Sequence, residues 1–220
     1  MIVCQGIYKT YSDTENKVDA LHDINLHIRK GEFVAIIGQS GSGKSSLMNI
    51  LGLLDTATQG TLFISGQNTS KLSSSSLSKM RSEKIGFVFQ SFNLVPNLTA
   101  FENVMLPLVY RQIPYKEMKK RAEQALKLTS MTDRKKHFPS ELSGGQMQRI
   151  AISRAIVTNP EIILADEPTG NLDPQNSREI LTLLKNFSSN GKTVVVVTHD
   201  MSVANSADRI IRLSKGKIDF

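Results

Sequence analysis

The residues Gly38-Gln39-Ser40-Gly41-Ser42-Gly43-Lys44-Ser45 carry the most specific chemical pattern in the chain. The spacing G-x-x-x-x-G-K-[ST] suits the binding of a phosphate chain. Glycines let the backbone adopt conformations closed to other residues and come close to a ligand. Successive N–H groups then turn inward, and a following helix adds its positive end. Lys44 supplies a point charge between β- and γ-phosphates. The Ser45 hydroxyl is expected to be a Mg²⁺ ligand. The implied ligands are ATP and Mg²⁺.

Two further groupings fit this chemistry. An apolar stretch, Ile162-Ile163-Leu164-Ala165, runs into Asp166-Glu167. A carboxylate at the end of a strand beside a phosphate loop can orient water on Mg²⁺, the role expected of Asp166. Glu167 is then placed to orient an attacking water or take its proton. Leu142-Ser143-Gly144-Gly145-Gln146 precedes a helical pattern through Ala151 to Ile156. Ser143 is a good N-cap, and the glycines leave backbone N–H groups bare at the helix start, a second anion-binding feature.

Elements must position these groups. Phe33–Ile37 reads as a strand entering the phosphate loop, and Ser45–Leu51 as the helix leaving it. Further strands are expected at Ile85–Phe89, Glu161–Ala165, Thr193–Val197 and Arg209–Leu213. Short apolar runs alternating with helical patterns give an α/β core. Ile2–Tyr8, Ile24–Ile28 and Thr61–Ile64 read as antiparallel strands, with a polar turn at Ser12 to Asn16. Between Phe101 and Lys136 the pattern turns helical, with Met118, Ala122, Ala125 and Leu126 on one face. Arg178–Phe187 repeats that pattern. The serine run Ser73–Ser76 reads as a polar loop.

Composition narrows the class. The 220 residues suffice for a sizeable core, and 40% are hydrophobic, an ordinary share for a globular protein. No apolar run approaches the roughly 20 residues needed to cross a bilayer. The N-terminus lacks the pattern of a secretion signal. The single cysteine, Cys4, rules out an internal disulfide framework. The formal charge of +7 is scattered, and no aromatic residues interleave with it as a nucleic-acid platform needs, so no nucleic-acid partner is expected.

The phosphate loop, the LSGGQ run and the strand with its Asp-Glu pair, in that order, resemble the nucleotide-binding subunit of an ATP-binding-cassette (ABC) transporter. The resemblance covers essentially all 220 residues. It implies a P-loop NTPase core with a mainly parallel sheet, an N-terminal antiparallel β-subdomain and an inserted helical subdomain over about 91–158. It also implies ATP hydrolysis, with Glu167 and His199 as catalytic residues, His199 contacting the γ-phosphate. Tyr11 matches the aromatic that stacks on adenine. Gln90 matches the glutamine that senses Mg²⁺ and faces the membrane partner, so the implied metal set is Ser45, Gln90 and Asp166. Asp173 matches a loop that communicates across a dimer. The implied nucleotide contacts are Tyr11, Gly38 through Ser46, Gln90, and Ser143, Gly144, Gly145 and Gln146, the last four supplied by a second copy in a head-to-tail pair.

The runs Ala165–Asp173 and Ile85–Leu94 resemble the branch of macrolide and antimicrobial-peptide exporters and lipoprotein-release ATPases, and Glu102–Leu108 favours the exporters. The implied partners are a separate membrane permease, since the sequence ends at Phe220 with no membrane domain, and an extracytoplasmic adaptor. The implied place is the cytoplasmic face of the membrane. The alternative within the branch is a regulatory cassette of the cell-division or lipoprotein-release type that signals across the membrane. The permease's cytosolic helix is expected to dock near Phe92, Leu94, Leu98 and Phe101.

Overall fold

Thr193–Thr198 is buried at every position, as a strand covered on both faces must be. In the computed structural model, which describes residues 1–12 and 17–219, this strand lies inside a six-stranded sheet. The strands in chain order are β1 (Ile2–Ser12), β2 (Lys17–Ile28), β3 (Phe33–Ile37), β4 (Gln59–Ile64), β5 (Gln67–Asn68), β6 (Ile85–Val88), β7 (Ile162–Asp166), β8 (Thr193–Thr198), β9 (Arg209–Ser214) and β10 (Lys217–Asp219). The helices are α1 (Lys44–Leu51), α2 (Ser74–Lys84), α3 (Ala100–Tyr110), α4 (Tyr115–Leu128), α5 (Gly144–Ile156), α6 (Pro174–Ser189) and α7 (Met201–Ala204).

The large sheet has the order β10-β9-β3-β8-β7-β6, parallel except for β10. Its register sets Ile37 beside Thr198 and Asp166 beside Val197. The C-terminal ends of three adjacent strands therefore deliver Gly38, His199 and Glu167 to one edge, where ligands bind in sheets of this kind. A second, antiparallel sheet has the order β2-β1-β4-β5. The β9–β10 and β4–β5 loops are Lys215-Gly216 and Ser65-Gly66, all four at positive φ, the geometry that tight hairpins favour.

Among the described residues, the three largest apolar clusters hold these parts together. Ile7, Ile24 and Ile64 of the antiparallel sheet join Leu47 and Leu51 of α1 and Val195 and Val197 of β8. On the other face of the large sheet, Val194 and Val196 meet Ile152 of α5 and Ile180 and Leu184 of α6. A third cluster joins Val104 and Leu108 of α3, Ala122 and Leu126 of α4, and Ile150 of α5. Helix α5 thus contributes to two clusters, so its position depends on both.

The structure departs from several local expectations. Ser73–Ser76 is not a loop: the Ser73 hydroxyl accepts a hydrogen bond from the Ser76 N–H at 3.2 Å and caps α2. A serine cap of this kind stabilises a helix by about 1 kcal/mol. The helical stretch after Phe101 is two helices, α4 starting directly after Pro114. Strand β1 runs on past Tyr8 to Ser12. Of the expected turn at Ser12 to Asn16, residues 13–16 lie outside the described residues.

Candidate functional site

Strand β3 is wholly buried and ends at Ile37; at the next residue, Gly38, the backbone crowds its neighbours. A Cβ on Gly38 would sit 2.2 Å from the Leu213 carbonyl oxygen and 2.5 Å from Ser42 Oγ, so only glycine fits. Gly43 has φ 100° and precedes α1, and a Cβ there would meet the Ala20 carbonyl at 2.5 Å. Ser42 O accepts from the Gly216 N–H at 3.0 Å, and His22 N–H donates to Gly216 O at 2.8 Å. The loop is therefore wedged between β2 and the β9–β10 hairpin. Lys44 Nζ donates to the carbonyls of Gly38 and Gln39, each at 2.7 Å, so its ammonium lies across the loop it belongs to. Ser42 Oγ is buried without a partner among the described residues. Gln39, Ser40 and Ser45 are exposed and Ser46 is half-buried on α1.

Glu167 follows β7 with φ 42°, a conformation unusual for a residue with a side chain. Hydrogen bonds hold it there: its N–H donates to Val197 O at 2.9 Å, and its carbonyl accepts from Gly170 N–H at 3.1 Å. Its carboxylate accepts from the Thr198 hydroxyl at 2.9 Å and the His199 N–H at 3.0 Å, and pairs with His199 Nδ1 at 2.6 Å. The His199 ring is otherwise largely exposed. Burial and the adjoining Glu167 carboxylate push the Asp166 carboxyl above its ordinary range, while the Lys44 ammonium pulls it back. A half-buried carboxylate beside a like charge suits a divalent cation, which would offset the cost of keeping it ionised.

Gln90 is exposed just beyond β6, and its side chain meets the Gly170–Asp173 segment. Its amide donates to Asn171 Oδ1 at 3.4 Å, and Asn171 donates back to Gln90 O at 3.1 Å. Asp173 caps α6, accepting from the N–H groups of Gln175 and Asn176, both at 3.0 Å. Arg154 of α5 donates to Phe92 O and Asn93 O, at 2.7 and 2.5 Å, and fixes two consecutive residues at positive φ.

Ser143 caps α5: its hydroxyl accepts from Gln146 N–H, and the Gln146 amide oxygen accepts from Ser143 N–H, at 3.3 and 3.0 Å. The Gln146 side chain is thus committed to the cap. The first-turn N–H groups of Gly144 and Gly145 have no intrahelical partner. A Cβ on Gly145 would fall 2.2 Å from Asn176 Oδ1, so α5 and α6 touch closely here.

The structure gathers Gly38–Ser46, Asp166, Glu167 and His199 at one sheet edge. Tyr11 reaches the same neighbourhood, two to three ladder positions from the Ala20–Leu21 stretch that abuts Gly43. Ser143–Gln146 has other neighbours: a Cβ on Gly144 would meet Leu172, Asn171 and Phe92, and the cavity beside Gly38–Ser42 takes no residue from that helix start. Thr198, Asn171 and Arg154 were not singled out from the sequence. Thr198 and Asn171 sit next to residues that were, while Arg154 gave no signal.

The family described as ABC transporter matches residues 21–170. An uncharacterized ABC transporter ATP-binding protein of Thermotoga maritima is 48% identical over 213 residues, covering 97% of this chain and 91% of that protein. The macrolide export ATP-binding/permease protein MacB of Mannheimia succiniciproducens is 49% identical over 99% of this chain, which spans only 34% of that protein's length. MJ0796 of Methanocaldococcus jannaschii, an uncharacterized ABC transporter ATP-binding protein, is 49% identical, with 100% of this chain and 95% of that protein covered. Its dimeric structure in a post-hydrolysis state, bound to ADP and Pi, matches with a TM-score of 0.91 at 47% identity, covering 100% of this chain and 97% of that one. A family match across the phosphate loop, the Leu142–Gln146 run and the acidic pair, with two relatives alike along nearly their whole length, places the chain: it belongs to the ABC transporter family, as an ATP-binding cassette that hydrolyses ATP.

Proposed function

We propose that two copies of this cassette pair head to tail and close on two ATP molecules, and that closure drives a membrane permease of the macrolide or antimicrobial-peptide exporter type. The observation that carries this is the separation of the two anion-binding features. The phosphate loop and the bare helix start at Ser143–Gly145 belong to one chain but do not share a cavity. Each is half of a site, and a second copy completes both. Tyr11, Gly38–Ser46 and Gln90 of one copy, with Ser143–Gln146 of the other, enclose the nucleotide. Glu167 orients the attacking water, and His199 steadies the γ-phosphate. Ser45, Gln90 and Asp166 would hold Mg²⁺, which would supply positive charge to the bound phosphates. The raised Asp166 carboxyl supports that assignment.

Mixing two inactive variants tests the pairing. Lys44→Ala and Ser143→Arg proteins each lack activity alone. In a head-to-tail pair the mixed dimer keeps one intact site, so the mixture recovers up to about a quarter of the wild-type rate. A mixture as inactive as its components defeats the composite site. Chelation of Mg²⁺ by EDTA is expected to abolish phosphate release from the wild type, and activity that persists would remove the metal from this reading.

The permease is proposed as a separate subunit, because the chain spans 91% and 95% of the two relatives described as ATP-binding proteins. Among the described residues no helix is long and apolar enough to cross a membrane. The cassette then sits at the cytoplasmic face of the membrane, and an extracytoplasmic adaptor completes the exporter assignment. We place the docking surface next to the stretch expected from sequence, where Phe92, Leu94, Leu98 and Phe101 are all half-buried. Leu94 and Phe101 pack onto the α3–α5 cluster. A cavity of about 960 Å³ opens between α2, β6, α3 and α5, lined by Phe87, Phe89, Leu106, Tyr110 and Arg154 among others. Tyr110 is 85% exposed, apolar bulk that a permease helix would cover. Tyr110→Glu is expected to leave the ATPase rate of the free cassette within twofold and to remove the permease's stimulation of it. Leu94→Glu, by contrast, should lower the melting temperature by several degrees, because it buries a charge.

A further inference from the structure

The end of β1 carries a polar cluster that the hydrolytic machinery does not use. Lys9 is 9% exposed, a rare place for a lysine. Its ammonium donates to Asp55 Oδ1 at 2.7 Å and to Thr56 O at 2.9 Å. It also lies 4.7 Å from the centre of the Tyr11 ring, on one face of it. The Tyr11 hydroxyl donates to the other Asp55 oxygen, Oδ2, at 3.0 Å. Burial raises the Asp55 carboxyl, but hydrogen bonds from Lys9, Thr56 and Tyr11 outweigh it and hold the group below its ordinary range.

Lys9 and Tyr11 share a face of β1, as the ammonium over the ring shows, across a register shift between Lys9 and Thr10. Asp55 lies just past α1, tied by its N–H to Asn49 O at 3.2 Å. One carboxylate therefore clamps both the lysine and the tyrosine, and links them to the helix that begins at the phosphate loop. The ring is 40% exposed with one face taken by the ammonium, so its opposite face is the one left for a ligand.

We infer that Lys9 and Asp55 are positioning residues for nucleotide binding: they fix the Tyr11 ring so that a purine base stacks on its free face. This rests on the reading that Tyr11 meets the base. The clamp acts in two ways. It removes the rotational freedom that an exposed tyrosine would lose on binding. It also places a cation behind the ring, which withdraws charge from the face that meets the electron-rich purine.

Calorimetric titration with MgATP and with inorganic tripolyphosphate, which has no base, tests this. Tyr11→Ala is expected to weaken MgATP binding by roughly five- to a hundredfold, the usual range for losing one base stack. Lys9→Met is expected to weaken it by about three- to tenfold, and Tyr11→Phe and Asp55→Asn by about threefold. All four should bind tripolyphosphate within twofold of wild type. In steady-state assays Lys9→Met should raise KM for ATP and leave kcat in place. If Tyr11→Ala binds MgATP normally, the reading of Tyr11 fails. If Tyr11→Ala is weak but Lys9→Met, or Asp55→Asn together with Tyr11→Phe, binds MgATP like wild type, that reading stands and the clamp is overturned. Equal loss of MgATP and tripolyphosphate also overturns it, since that marks a merely structural role. Tyr11→Phe and Asp55→Asn decide the matter if Lys9→Met does not fold.

Discussion

Replacing Glu167 by glutamine is expected to lower ATP turnover by roughly a hundred- to ten-thousandfold while ATP binding persists. The side chain lies on no phosphate-binding element, so its loss leaves the charge and the N–H groups of Gly38–Ser45 untouched. What disappears is a carboxylate able to take or orient a proton. Glutamine retains an amide oxygen that can accept from the Thr198 hydroxyl, now at 2.9 Å, so the local backbone should hold. Backbone bonds to Val197 and Gly170 pin the residue independently of the side chain. With binding intact and cleavage slow, closed pairs of cassettes should accumulate in the presence of MgATP. Size-exclusion chromatography with and without ATP, beside a single-turnover measurement of phosphate release, checks both parts. A variant that turns over within tenfold of wild type, or stays monomeric with ATP bound, contradicts the roles given to Glu167 and to the second copy.

The chemistry at the sheet edge was readable because each piece leaves a local mark. Gly38, Gly43 and Lys44 fall at fixed spacing, and the structure explains the glycines by backbone atoms within 2.2 and 2.5 Å of where a side chain would begin. Val194–Val197 reads as a central strand because burial on both faces leaves no alternation to blur it. Contacts between residues distant in sequence left no such mark. Lys9 and Asp55 are 46 positions apart, and Arg154 reaches Phe92 across 62. Nothing in a single sequence pairs them. The helix α2 was hidden for another reason: among its residues only Met80 is buried, so it carries almost no apolar periodicity. Its signal was the Ser73 cap, which looked like one member of a serine run. The break between α3 and α4 is marked by Pro114, the N-cap of α4, whose fixed φ and missing N–H suit a helix boundary, although Pro107 shows that α3 tolerates a proline inside it.

Besides the apolar clusters, short polar links run from the cavity proposed to receive a permease to the nucleotide-facing part. Arg154 and Asn93 line the cavity beside Phe89. Arg154 also holds the Phe92–Asn93 turn, which follows Gln90. Gln90 in turn is bonded to Asn171, and a Cβ on Gly144 would lie 3.7 Å from the Asn171 carbonyl. A load placed in the cavity thus meets the signature helix twice, at Arg154 and at its first turn.

Lys44→Ala is expected to weaken MgATP binding by about a hundredfold or more and to bring hydrolysis below detection. In the free chain the ammonium bridges the Gly38 and Gln39 carbonyls at 2.7 Å each. Those carbonyls repel an incoming phosphate, and the lysine is the group that screens them. Once nucleotide enters, the same ammonium can turn to phosphate oxygens, where two charge-assisted hydrogen bonds contribute roughly 1.5–3 kcal/mol each. Alanine loses both the attraction and the screening, so affinity falls further than from removing one contact. Stability should change little by comparison, because the loop is also held by Gly216 N–H at Ser42 O and by the close fit of Gly38 and Gly43. The expected signature is therefore a near-wild-type melting curve without nucleotide and loss of the upward shift that saturating MgATP gives the wild type. A Lys44→Ala protein whose melting point still rises normally with MgATP would mean that backbone N–H groups alone bind the phosphates.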